Sequence, residues 1–112
     1  MDSSSKDVVE KQFRAYAAQD LRGFLAAYAA DAAILDLSTG LPRAKGYLDI
    51  QRVYGEFFKA NPKMSCELLH RAVNGDFVSE HARLTRLTGE ADRDLLAIHE
   101  VKHGRIVRSW IV

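Results

Sequence analysis

Asp36 lies in the apolar run Ala32-Ala33-Ile34-Leu35-Asp36-Leu37, directly after two segments of helical periodicity. An ionised carboxylate among apolar side chains is costly unless partnered, and the usual response is a raised pKa. A carboxylate so shifted can move protons near neutral pH. The residues that follow, Ser38-Thr39-Gly40, support a second reading, in which Asp36 accepts hydrogen bonds from turn amides. Residue types alone leave both open. Histidine is the other side chain that exchanges protons in this range. Alternation through Leu95 to Lys102 puts Leu95, Ala97, His99 and Val101 on one strand face and Leu96, Ile98, Glu100 and Lys102 on the other. An interior His99 needs a partner, either Asp36 across a pocket or the backbone. His81 shares a face with Phe77, Ser79, Arg83 and Thr85, which suits a pocket or an exposed edge equally. His70 and His103 add little. No i, i+4 or other ligand spacing joins these histidines, so no metal site is expected.

Elements of ordinary kind must position these groups. Ser4 and Asp7 have capping-box spacing, and Val9, Phe13 and Tyr16 recur at i, i+4, i+7, so a first helix runs to about Gln19. Asp20 caps a second with Leu21, Phe24, Leu25 and Tyr28 on one side, ending near Ala30-Asp31. Residues 32 to 37 read as a strand in which an inward Asp36 brings Ile34 and Ser38 inward too, and 38 to 42 read as a loop. A third helix follows Gly46, with Ile50, Val53, Tyr54, Phe57 and Phe58 as its apolar side, until Asn61-Pro62 stops it. Tyr54 and Phe57 are core residues that can also wall a pocket. The period then changes. Met64 to Val73 and Phe77 to Leu87 flank Asn74-Gly75-Asp76, a hairpin signal of type I′ chemistry, and Leu95 to Lys102 and Arg105 to Val112 flank His103-Gly104. Helices first and strands last imply an α+β domain.

The 112 residues suffice for one domain, 1–112, with one core. Sixteen Lys and Arg against fifteen Asp and Glu, interspersed, give a formal charge of +1 and no basic block, so nucleic acid is not expected as a partner. No apolar stretch approaches the ~20 residues of a membrane span, and Met1-Asp2-Ser3-Ser4-Ser5 lacks the basic and apolar regions of a secretory leader. A cytoplasmic protein without membrane contact is expected. Cys66 is the single cysteine, which leaves no disulfide framework. Both faces of the late strands carry apolar residues. The face bearing Leu96, Ile98 and Leu84 is therefore expected to be covered by a second copy, making a homodimer through the convex side of the sheet.

The order of elements resembles the nuclear-transport-factor-two-like superfamily over essentially the whole chain. The phrases that carry the resemblance are Tyr28-Ala29-Ala30-Asp31-Ala32-Ala33-Ile34-Leu35-Asp36, the helix ending Tyr54-Gly55-Glu56-Phe57-Phe58 after Gly46, and Ile98-His99-Glu100-Val101-Lys102-His103-Gly104-Arg105-Ile106. Within the superfamily the chain is most similar to the SnoaL-like and ketosteroid-isomerase-like members. The resemblance implies a cystatin-like or nuclear-transport-factor-two-like roll, a cone-shaped curved antiparallel sheet packed against three helices. An apolar ligand pocket would sit at the open end. Carried over without gaps, the general-base aspartate of ketosteroid isomerase falls on Asp36 and its oxyanion tyrosine on Gln12, with Tyr16 one turn later, while its oxyanion-donating aspartate, set in an Ile-Asp phrase on a late strand, falls on His99.

Two functions follow as expectations. In one, Asp36 and His99 form the catalytic pair of a cofactor-independent isomerase or cyclase acting on a small apolar carbonyl compound. Gln12, Tyr16, Tyr54, Phe57 and His81 would then contact the substrate. In the other, the same cone is a non-catalytic ligand-binding domain or dimeric scaffold. The Asp-Arg-Asp set of related epoxide hydrolases is not evident.

Overall fold

The computed structural model describes residues 4–112. Of the N-terminal segment read above for a leader, Met1 to Ser3 lie outside the described residues. Helix α1 spans Ser5–Ala17 and begins where expected, because the Ser4 hydroxyl accepts from the Asp7 amide at 3.2 Å. Helix α2 is one short segment, Leu21–Ala26, capped by Asp20 accepting from the Gly23 amide at 3.1 Å. It ends earlier than its periodicity suggests. Tyr28, expected as its last apolar position, instead opens strand β1, Tyr28–Asp36.

A second correction follows at 42–45. These residues form β2, Pro42–Lys45, which takes in the last residue of the expected loop and three residues that carried no assignment. Pro42 cannot donate to a ladder, and it sits at the first position of an edge strand, where no donation is needed. Helix α3, Tyr47–Ala60, leads into three consecutive hairpins built from β3, Ser65–Asn74, β4, Phe77–Thr85, β5, Arg93–Lys102, and β6, Arg105–Ile111.

The strands form one sheet in the order β2-β1-β6-β5-β4-β3. It is not wholly antiparallel, since β1 runs parallel to β6 while every other pair is antiparallel. Register shifts at Ile34/Leu35, Leu68/His70 and Glu100/Val101 bend individual strands, and such irregularities increase local twist. The sheet thus curves around the helices. Val9 of α1, Phe24 of α2, Ile50 of α3 and Ile34, Val78, Leu84 and Ile106 of the sheet are almost wholly buried between the two layers. No described helix is long and apolar enough to cross a membrane.

Candidate active site

A cavity of about 50 Å³ opens between the helices and the concave face of the sheet. Its apolar wall is an aromatic cluster: between ring centroids Phe24 lies 4.7 Å from Tyr54, 5.1 Å from Tyr28 and 5.9 Å from Tyr16. Helical spacing on α1 turns both Gln12 and Tyr16 toward it. Alternation on β5 and β6 contributes Leu95, Ala97, His99, Ser109 and Ile111. Burial raises the pKa of the Tyr16, Tyr28 and Tyr54 hydroxyls, that of Tyr54 to about 12, so all three are hydrogen-bond donors at neutral pH. The Gln12 amide donates to the Tyr28 hydroxyl at 3.0 Å and partly opposes that rise.

The polar wall is a row of charged and polar side chains with one gap, between His99 and Glu80. His99, only 2% exposed, holds the Ser109 hydroxyl at 2.6 Å through Nδ1, while its Nε2 stands 3.7 Å from Glu80 Oε1. That separation is too long for a direct hydrogen bond, and among the described residues Nε2 makes none. The Arg71 guanidinium grips Glu80 Oε2 through Nε and Nη2 at 3.0 and 2.6 Å. Its third nitrogen reaches Glu10 at 3.2 Å. Arg71 and Glu80 face each other across the β3–β4 ladder, so register brings the pair together. Glu80 is 4% exposed, and without Arg71 its charge would be unsupported.

Asp36 is elsewhere. Its Oδ1 accepts from the Ser38 and Thr39 amides at 2.9 and 3.0 Å, and its Oδ2 meets Arg43 Nη2 at 2.6 Å. The Arg43 hydrogen bond and then the turn amides hold its carboxyl below the ordinary range. This corrects the expectation of an Asp36 base that shares a cavity with His99. The turn-capping reading describes its geometry. His81 is corrected too: its Nε2 lies 2.8 Å from Asp94 Oδ2 in a surface depression with Leu96 and Val112, on the side away from the cavity. Phe57 lies in an outer vestibule of about 140 Å³ instead of the inner cavity. The vestibule shares Tyr16, Tyr54, Leu95 and Ile111 with the cavity and adds Val53, Leu84, Arg43 and Arg93. Leu84, expected on the convex side, is wholly buried against this inner side.

Sequence reasoning missed Tyr28, Glu80 and Ser109. Glu80 carried a legible signal, because Val78, Glu80, Ala82 and Leu84 make an otherwise apolar strand face interrupted by one charge. Cys66 is half-buried with its thiol pushed up to about 12, by burial first and by Glu80 second, which makes it a poor nucleophile. Among the described residues no three of His, Cys, Asp and Glu gather where they could hold a metal ion.

A family model described as a SnoaL-like domain matches residues 9–109. The chain belongs to the SnoaL-like family. Its fold is shared by an uncharacterized cystatin-fold protein of Novosphingobium aromaticivorans, with TM-score 0.90, 18% identity and 98% of each chain covered. A candidate polyketide cyclase of Sinorhizobium meliloti is 28% identical, with TM-score 0.79 over 95% of this SnoaL-like chain and 94% of that one. A candidate ketosteroid isomerase of Kribbella flavida shares 19% identity, with TM-score 0.83 over 96% and 75% of the two chains. No curated protein matches the chain.

Proposed function

We propose that this SnoaL-like protein binds a small apolar carbonyl compound in the inner cavity and shifts a proton within it through His99. The observation that carries the reading is the buried imidazole, fixed by Ser109 at Nδ1 and free of hydrogen bonds from the described residues at Nε2, beside neutral tyrosine hydroxyls. In the proposed step, Nε2 takes a proton from the carbon next to the carbonyl. The C–H electron pair becomes an enolate, and the Tyr28 hydroxyl, oriented by Gln12, donates to its oxygen. Return of the proton to another carbon completes an isomerisation without a cofactor. Glu80 stabilises the transient imidazolium at 3.7 Å. Tyr16 and Tyr54 would line the substrate, with Phe57 nearer the mouth. The sizes of cavity and vestibule favour one ring or a short chain, since pockets for drug-sized ligands measure ~300–1,000 Å³.

The test is solvent deuterium exchange into cyclohex-2-enone or cyclohexanone followed by NMR. His99→Gln is expected to slow exchange at least ~10²-fold while the compound still binds. The location of Asp36 outside the cavity favours the second reading, a ligand-binding domain without chemistry. No exchange in the parent, with binding intact, would establish that reading instead.

For assembly we propose a homodimer through the convex face, where Leu96 is 39% and Phe77 44% exposed beside Ile98 and Trp110. Arg108 lies over the Trp110 ring at 5.8 Å, leaving a cationic rim to an apolar patch.

A further inference from the structure

The vestibule differs from the inner cavity in its charge. Arg43 reaches it from the edge strand β2 and Arg93 from the first residue of β5, and among the described residues no carboxylate lines it. The Nη2 of Arg43 donates to Asp36, which orients the guanidinium and leaves its other donors. The adjacent Asp94 is engaged by His81 and Arg83, and among the described residues Arg93 makes no ion pair. Two guanidiniums against one carboxylate thus give this mouth a net positive charge. The walls between them, Val53, Phe57 and Leu84, are apolar. The two fields reach the shared tyrosines: against the burial that raises both hydroxyls, Arg93 lowers Tyr16 and Arg43 lowers Tyr54.

We propose that the ligand is a small carboxylic acid, its carboxylate seated between Arg43 and Arg93 and its apolar carbonyl-bearing body directed through Tyr16 and Tyr54 into the inner cavity. A guanidinium presents paired N–H donors that match a carboxylate, and apolar walls strengthen the attraction by excluding water. The inference rests on the inner cavity being the carbonyl site, and it adds the charge of the substrate.

The matched probes are 3-oxocyclohexane-1-carboxylate and its methyl ester, compared by titration calorimetry with the parent protein. At low ionic strength the acid is expected to bind at least ~10-fold more tightly than the ester, with the preference shrinking in about 0.5 M NaCl. Arg93→Met should erase most of the preference. Arg93→Lys should retain part of it, because charge stays while the fork is lost. Arg43→Met, which leaves Asp36 unpaired at the mouth, should turn the preference toward the ester. Thermal melts identify any variant that fails to fold. Equal or weaker binding of the acid, or a preference that survives Arg93→Met, overturns the proposal. The imidazole NMR signals of His99 separate the two readings. If they respond to both probes without a preference for the acid, the charge inference falls and the carbonyl site stands. If they respond to neither probe, both fall.

Discussion

At Asp36 the protein resolves the cost of a carboxylate beside apolar residues by local hydrogen bonding instead of by protonation. Two turn amides and Arg43 stabilise the charged form, so the folded pKa lies below that of the unfolded chain. The stability this contributes is present above the unfolded value of 3.8 and is lost as pH falls through the lower folded value. Asp36→Asn is therefore expected to lower the melting temperature at pH 7 and leave the affinity of neutral ketones unchanged. The difference from the parent should shrink in melts below about pH 4. Glu80 behaves differently because it is buried. Glu80→Ala leaves Arg71, 14% exposed, with only the longer contact to Glu10, and should cost about 3 kcal/mol by urea denaturation. In a double-mutant cycle with Arg71→Met, the pair should lose clearly less than the sum of the single losses, since one change removes the other's unpaired charge.

At the scale of elements, the hairpins carry the geometry that brings the chain of polar groups into register. The β5–β6 turn has positive φ at both His103 and Gly104, 53° and 75°, as a type I′ turn requires. The β3–β4 turn departs from the expected chemistry. Asn74 pairs with Phe77, so the central residues are Gly75 and Asp76, and only Gly75 has positive φ, at 60°. A glycine at the first central position is the mark of a II′ turn. Nothing lies within 4 Å of a Cβ built on Gly75, so Gly75→Ala should cost only the backbone strain, roughly 1–2 kcal/mol in denaturant melts. Asn74→Ala should be milder, because Asn74 does not need the left-handed region. The edge strand β2 escaped notice because only Ala44 of its four residues is buried, and one inward position makes no periodic pattern.

For the whole molecule, the closed layer of helices on a curved sheet leaves one small interior space and one large outward face. If a second copy covers that face, Leu96→Glu should shift the molecule to a monomer in analytical ultracentrifugation while leaving ligand affinity intact, since Leu96 points away from the cavity. A monomeric parent at micromolar concentration would remove the dimer. The core is more sensitive than either surface. Phe24 is 1% exposed and touches Tyr16, Tyr28, Tyr54 and Phe58, so Phe24→Ala should cost about 3–5 kcal/mol and open the inner cavity toward larger ligands.

Periodicity in the chain determined the three helices, the four late strands and the order of every element but β2, because an amphipathic element must turn its apolar side to a core whatever the core contains. The same logic put His99 on one strand face with Leu95, Ala97 and Val101, and the structure turns that face inward. Alternation could not say which of two mixed faces is the inner one. On β4, the face with Phe77, His81 and Arg83 was a reasonable pocket wall until the structure turned Val78, Glu80, Ala82 and Leu84 inward instead. Asp36 shares this lesson: position along the strand was legible, but its partner Arg43 comes from a strand that only the β1–β2 pairing brings beside it. The row Glu10, Arg71, Glu80, His99 and Ser109 spans five elements, α1, β3, β4, β5 and β6, and its members stand up to about a hundred residues apart in sequence. Only tertiary folding assembles such a row, because donor and acceptor must be held about 3 Å apart to within a few tenths of an ångström, which no residue spacing encodes.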